Sequence, residues 1–113
     1  MALGHDYGQN ANGFYITQPA DTFRSGQQFA FVVNLDQSIG TTQAKLALVK
    51  ELSGGAESVV LSVPMNISNP DYASFANKFS TSTLMYGQAP GKYKLEMETD
   101  TTVVASATFT YTG

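Results

Sequence analysis

Apolar residues recur at every second position through most of this 113-residue chain. A half-buried β-strand requires that period, because successive side chains point to opposite faces of the sheet. Between residues 27 and 35, Phe29, Phe31, Val33 and Leu35 alternate with Ala30, Val32 and Asn34. Residues 44–52 set Leu46, Leu48 and Leu52 against Lys45, Val49 and Glu51. Residues 57–63 place Val59, Leu61 and Val63 inward and Ser58 and Ser62 outward, and Pro64 closes the run. Residues 77–86 alternate Phe79, Thr81, Thr83 and Met85. The clearest amphipathic strand is 92–99, with Tyr93, Leu95 and Met97 on one face and Lys92, Lys94, Glu96 and Glu98 on the other. Residues 103–111 turn Val103, Ala105, Ala107, Phe109 and Tyr111 inward and Thr108 and Thr110 outward. A first strand falls at 13–17, with Phe14 and Ile16 on one face, and Pro19 interrupts any continuation.

Turn residues punctuate these runs at Ser25-Gly26, Ser53-Gly54-Gly55, Pro90-Gly91 and Asp100-Thr101-Thr102. The last of these makes a hairpin of the final two strands. Asn69-Pro70-Asp71 starts a further turn, and 71–77 is expected to form one short helical turn. No amphipathic helix of useful length and no internal repeat is present. About seven strands spaced ~8–12 residues apart predict an all-β antiparallel sandwich. The length suits one domain, divided here into an N-terminal arm at 1–12 and a sandwich at 13–113.

Composition bounds the partners. Charged residues make up 13% of the chain, against ~25% in an ordinary globular domain. Polarity comes instead from uncharged Ser, Thr, Asn and Gln, and the net charge is only -3. A surface of this kind repels neighbours weakly and suits a subunit that packs into an assembly. The six basic residues, Arg24, Lys45, Lys50, Lys78, Lys92 and Lys94, form no stripe, which argues against nucleic acid. Cysteine is absent, so disulfides and thiolate metal sites are excluded. No apolar run approaches the ~20 residues that a membrane-crossing helix needs. The first dozen residues have neither the basic nor the apolar region of a signal peptide.

Three segments carry a family resemblance. Phe23-Arg24-Ser25-Gly26-Gln27-Gln28-Phe29 resembles the F-x-x-G-x-x-[FV] lead-in to the second strand of bacterial immunoglobulin-like domains. Pro90-Gly91-Lys92-Tyr93-Lys94-Leu95 resembles their P-G-x-Y-x-[LV] approach to the penultimate strand, and 104–109 looks like their final strand. The antibody-type cysteine pair and core tryptophan are missing, so the nearer likeness is to disulfide-free, fibronectin type III-like modules. The resemblance implies structural roles for Pro90, Gly91 and Tyr93, the last as a tyrosine corner whose hydroxyl bonds a loop backbone. It implies an architecture and no particular function.

The residues of catalysis are scarce. His5 is the single histidine, placed in the arm beside Asp6, and the chain has no G-x-S-x-G elbow to seat a nucleophile. Glu96 and Glu98 share a face with Lys92 and Lys94, which reads as solvated alternating charge. Asp36-Gln37-Ser38 and Asn69-Pro70-Asp71 lack calcium-loop spacing. Gly54-Gly55 sits in a hairpin and not ahead of a helix, so it is no phosphate loop. Asn66-Ile67-Ser68 matches the N-glycosylation pattern, a common chance occurrence. Lys50 interrupts an apolar face between Leu48 and Leu52, but the final strand offers no Asn or Asp to receive an isopeptide bond.

The expectation is a non-enzymatic structural or protein-interaction module without cofactor or metal, at the cell surface or in an extracellular assembly. Its partner is a protein or a second copy of itself, with 1–12 offered to a neighbour's sheet edge. The alternative is a carbohydrate-binding module that uses Tyr7, Tyr15, Tyr72 and Tyr86 as ring platforms.

Overall fold

The computed structural model describes residues 1–100 and 102–113. In chain order the elements are β1 (Ala2–Gly4), β2 (Tyr7–Asn10), β3 (Gly13–Ile16), β4 (Thr22–Phe23), β5 (Gln28–Asn34), β6 (Gln43–Glu51), β7 (Glu57–Asn66), β8 (Ser74–Ser80), a short helix α1 (Thr81–Leu84), β9 (Gly91–Thr99) and β10 (Thr102–Tyr111). One sheet has the order β1-β5-β8, and the other has the order β4-β10-β9-β6-β7. All pairings are antiparallel except β4 with β10. The turn expected at 100–102 connects β9 to β10, and Thr101 lies outside the described residues.

Inward residues of the two sheets meet in one core. Phe29, Phe31 and Val33 of β5 face Leu46 and Leu48 of β6, Tyr93, Leu95 and Met97 of β9, and Phe109 of β10. Phe23, Phe29 and Phe109 form an aromatic knot with centroids 4.4 to 5.8 Å apart. Tyr93 stacks on Phe109 at 5.9 Å and donates its hydroxyl to the Ala89 carbonyl at 2.6 Å. Burial holds the Tyr93 phenol above its ordinary range, and nearby Tyr111 adds to the effect.

β5 is buried on both faces, where its alternation reads as one apolar and one mixed face. Its second face, Ala30 and Val32, lies under a hairpin made by β2 and β3. Gly4 permits that layer to sit close, because a Cβ there would fall on the Gln18 carbonyl oxygen and on Ile16 Cγ2. Ser74 Oγ accepts from the Phe14 amide at 2.9 Å and donates to Asn34 Oδ1 at 2.6 Å. Asn34 Nδ2 donates to the Phe14 carbonyl at 3.1 Å.

Residues 1–12 are therefore no free arm. Ala2–Gly4 pairs with β5, and Leu3 joins the core. The segment 13–17, expected as the first sandwich strand, instead returns as half of the covering hairpin. The expected helical turn at 71–77 is also replaced, because β8 begins at Ser74. The strand expected at 77–86 ends at Ser80, where α1 tucks Thr81 and Met85 into the core. Alternation alone did not separate a strand from a strand that bends into a helical turn.

Two further differences have one cause. A register shift between Leu48 and Val49 turns Val59 onto the outer face opposite Val49, and Val60 packs against the core in its place. A second shift between Val103 and Ala105 leaves Val103 exposed and brings Val104 against the core beside Ala105. Pro64 does not close its strand, for β7 runs on to Asn66.

Candidate functional site

Five strands face three. With ~4.8 Å between neighbouring strands, the larger sheet is about 10 Å wider than the smaller. The excess falls at β7, whose inner residues Leu61 and Val63 are 38% and 37% exposed for want of a facing strand. A groove follows this step. Its middle is a cavity of about 420 Å³ lined by Val63, Met65, Ile67, Phe75, Asn77 and Phe79. One end continues between Leu61 and Leu84. The other opens into a cavity of about 480 Å³ bounded by Phe14, Tyr72, Gln9 and Asp71. Among the described residues, no charged side chain lines the middle cavity or the Leu61 end.

Both walls of the groove are unpaired strand edges. The Leu35 amide bonds Ala73, and the Thr81 amide bonds the Gln27 carbonyl, which fixes the phase of the β5–β8 ladder. Antiparallel pairs alternate between bonded and non-bonded, so the backbone groups of Ser74, Ala76, Lys78 and Ser80 point away from β5 toward the groove. Asn77 Oδ1 occupies the Lys78 amide at 2.8 Å. On the opposite wall, the Ile67 amide bonds Thr42, which turns the backbone of Ser62, Pro64 and Asn66 outward. Pro64 thus sits where a missing N–H costs no ladder bond.

The far side of the sandwich is closed by contrast. Its edge strands β1 and β4 have only three and two residues. Pro19 bridges to Gly4 there, and short strands and proline both discourage further pairing.

The four tyrosines expected as a platform are dispersed. Tyr7 lies half-buried on β2, with its ring 5.7 Å from Phe14 and 5.9 Å from Lys78 Nζ. Tyr15 lies across β2–β3 opposite Gly8, on the solvent side of the hairpin. Tyr72 borders the groove, close to the N-terminal end of β8. Tyr86 is 87% exposed beyond its C-terminal end, after α1. Seven residues of extended strand separate the last two, roughly 20 Å by strand rise. The groove itself was not foreseen, because it arises from unequal strand numbers in the two sheets. The alternation at 57–63 turns Leu61 and Val63 inward, as the structure has them, and carries no sign of the missing cover.

Several titratable groups take part in packing and ion pairs. His5 is not a solvated terminal residue: Nδ1 lies 2.9 Å from the Gln28 carbonyl and its ring meets Phe23 edge-on at 5.2 Å. Asp6 accepts from the Tyr7 amide at 2.8 Å and from Lys78 Nζ at 3.2 Å, which holds its carboxyl below the usual range. On the outer face of the large sheet, Lys94 bonds Glu57 at 2.8 Å and Glu96 at 3.3 Å, and Lys45 meets Glu98 at 3.3 Å. The Glu57 contact is the leading reason that the Lys94 ammonium sits above its ordinary range. Lys50 Nζ stands 5.9 Å over the Tyr93 ring. No helix among the described residues is long and apolar enough to cross a membrane.

No protein-family profile matches the chain, and no curated protein matches it in sequence. Solved structures do match its shape. An immunoglobulin-like protein from Pseudomonas aeruginosa superposes with a TM-score of 0.55 at 12% identity, over 96% of this chain and 90% of that one. An alkylpurine DNA glycosylase from Pseudomonas fluorescens gives a TM-score of 0.40 at 13% identity, over 82% of this chain and 28% of that one. The fold is an immunoglobulin-like, disulfide-free β-sandwich.

Proposed function

We propose that this domain is a non-enzymatic protein-interaction module that takes an extended segment of a protein partner onto its open side. One observation carries the reading: a groove whose middle and Leu61 end are lined without charge runs between two unpaired strand edges, over an uncovered apolar strand face. A strand added to β8 would find free backbone groups at Ser74, Ala76 and Ser80 and would cover Leu61 and Val63. Main-chain bonds supply affinity in this mode, and alternate side chains entering the groove supply selectivity. The lining favours aliphatic residues at every second position and disfavours charge there, since a charge buried without a partner is costly. The non-enzymatic part of the reading is supported by the use of His5 and Asp6 in packing and in the hairpin clasp. Low surface charge and the sandwich architecture support a place at the cell surface or in an extracellular assembly.

The test uses an eight-residue peptide of alternating valine and threonine, flanked by lysines for solubility, titrated into the whole chain by nuclear magnetic resonance. Shifts centred on Ala76, Ser80, Leu61 and Val63 are expected, and Val63→Lys should abolish them. Shifts confined to the β1–β4 side, or none at millimolar peptide, would overturn the reading.

A narrower second reading rests on Tyr72, the one of the four tyrosines that borders a cavity with polar neighbours, Gln9 and Asp71. A glycan stacked on its half-exposed ring would contact that end of the groove. Retention on a glycan array that survives Tyr72→Ala would refute it.

A further inference from the structure

We infer that the partner on the open side is a second copy of this chain, joined so that β7 of each copy lies beside β8 of the other. This inference rests on the reading of the open side as a binding site. It follows from the shape of the step. The five-stranded sheet overhangs the three-stranded one by its β7 edge. A two-fold axis along the strands sets the overhang of one copy over the overhang of the other, as in a lap joint. Each composite sheet then has three strands from one copy and five from its partner, and both exposed inner faces of β7 are covered by one another.

Strand direction agrees with this arrangement. The chain leaves β7 at Asn66 and starts β8 at Ser74 at the same end of the sandwich, where Ile67 bonds Thr42 and Leu35 bonds Ala73. The two strands therefore run in opposite directions. A rotation about an axis along the strands preserves direction, so β7 of the second copy meets β8 antiparallel.

The chemistry of the occupant agrees as well. Residues 58–66 carry no charge, and the middle of the groove they would enter carries none. Leu61, Val63 and Met65 alternate with Ser62, Pro64 and Asn66, which sets aliphatic side chains inward as the groove accepts and two polar ones outward. β7 has ten residues and no edge lysine, and Pro64 is the one residue on its open edge that discourages pairing. Pro64 withholds one donor from the open edge, so the joint forms its ladder through the Ser62 and Asn66 amides and the carbonyls beside them.

Light scattering over a concentration series, combined with single-cysteine cross-linking, tests the inference, since the chain has no cysteine of its own. The mass is expected to rise from 12.1 kDa to twice that value as concentration increases. Ser62→Cys protein mixed with Ala76→Cys or Ser80→Cys protein should form a mixed disulfide on oxidation, because these positions share the outer face of the joined sheet. Ser62→Lys, on the free edge and outside the core, should shift dimerisation to at least tenfold higher concentration, while Thr108→Lys should leave it unchanged. A Ser62–Ser62 cysteine cross-link in place of the mixed one would overturn the lap joint in favour of edge-to-edge pairing. A monomer at millimolar concentration that still binds the valine–threonine peptide would overturn the second copy as partner and leave the open-side reading intact. A monomer that binds no such peptide would overturn both.

Discussion

Thr81 buries its hydroxyl completely, and Oγ1 finds no hydrogen-bond partner among the described residues. A buried hydroxyl without a partner costs about 1–3 kcal/mol. Thr81→Val keeps the shape and removes the unmet group, so chemical denaturation should show a gain of roughly 1 kcal/mol. Tyr93 presents the converse case. Its hydroxyl satisfies the Ala89 carbonyl, and Tyr93→Phe should lower stability by about 1–3 kcal/mol in the same measurement. Gly13 lies at φ +122°, and a Cβ there would stand 2.6 Å from Ser74 Oγ. Gly13→Ala should therefore loosen the β2–β3 hairpin, by about 1–3 kcal/mol of added backbone strain. Asp6 ties that hairpin to Lys78 on β8. Its carboxyl is held low chiefly by the Tyr7 amide and next by Lys78, so the clasp is present above the ordinary carboxylate range. Its contribution begins to fade only below the ordinary value of about 4 and is lost as pH falls through the lowered one. Protection of the β2 and β3 amides, taken relative to their intrinsic exchange rates, should fall there, and Asp6→Asn should remove the dependence.

At the scale of elements, the sequence was legible where one face is apolar and the other is polar. The strands β9 and β10 and their hairpin follow directly from Tyr93-Leu95-Met97 set against Lys94-Glu96-Glu98. β5 and β6 were legible as strands, but both are buried on their second face as well, at Ala30, Val32, Ala47 and Val49, and Leu52, expected inward, is 45% exposed. Legibility failed where alternation continues through a change of backbone. Phe79, Thr81, Thr83 and Met85 keep period two, yet the chain turns helical after Ser80 because Met85 fills the core from α1. It failed again at β7, where the shift at Leu48/Val49 sends Val59 outward to 62% exposure. A bulge inverts every side chain beyond it and leaves little mark in a list of apolar positions. The N-terminal segment was misjudged for another reason. Three residues are too few to show a period, but Leu3 is buried and Ala2–Gly4 extends the small sheet. Deleting residues 1–4 should consequently lower stability by about 2–5 kcal/mol, as expected when a buried leucine is lost, and this is measurable by thermal melting.

The whole molecule is an asymmetric sandwich, closed on the β1–β4 side by short strands and proline and open on the β7–β8 side. The open side could not be read from sequence, because strand counts per sheet depend on how β2 and β3 fold back as a separate layer. Its apolar, uncharged lining predicts association insensitive to salt between about 0.05 and 0.5 M, in contrast to an interface built on ion pairs. The central claim is that the edges of β7 and β8 are where this chain is completed by another. Amide hydrogen exchange across a range of protein concentrations tests it most directly, read at Ser62, Asn66, Ala76 and Ser80. Those four amides should slow as concentration rises, while Ala2 and Thr22 on the closed side stay unchanged. Exchange at the four positions that is independent of both protein concentration and added strand-forming peptide would contradict the account.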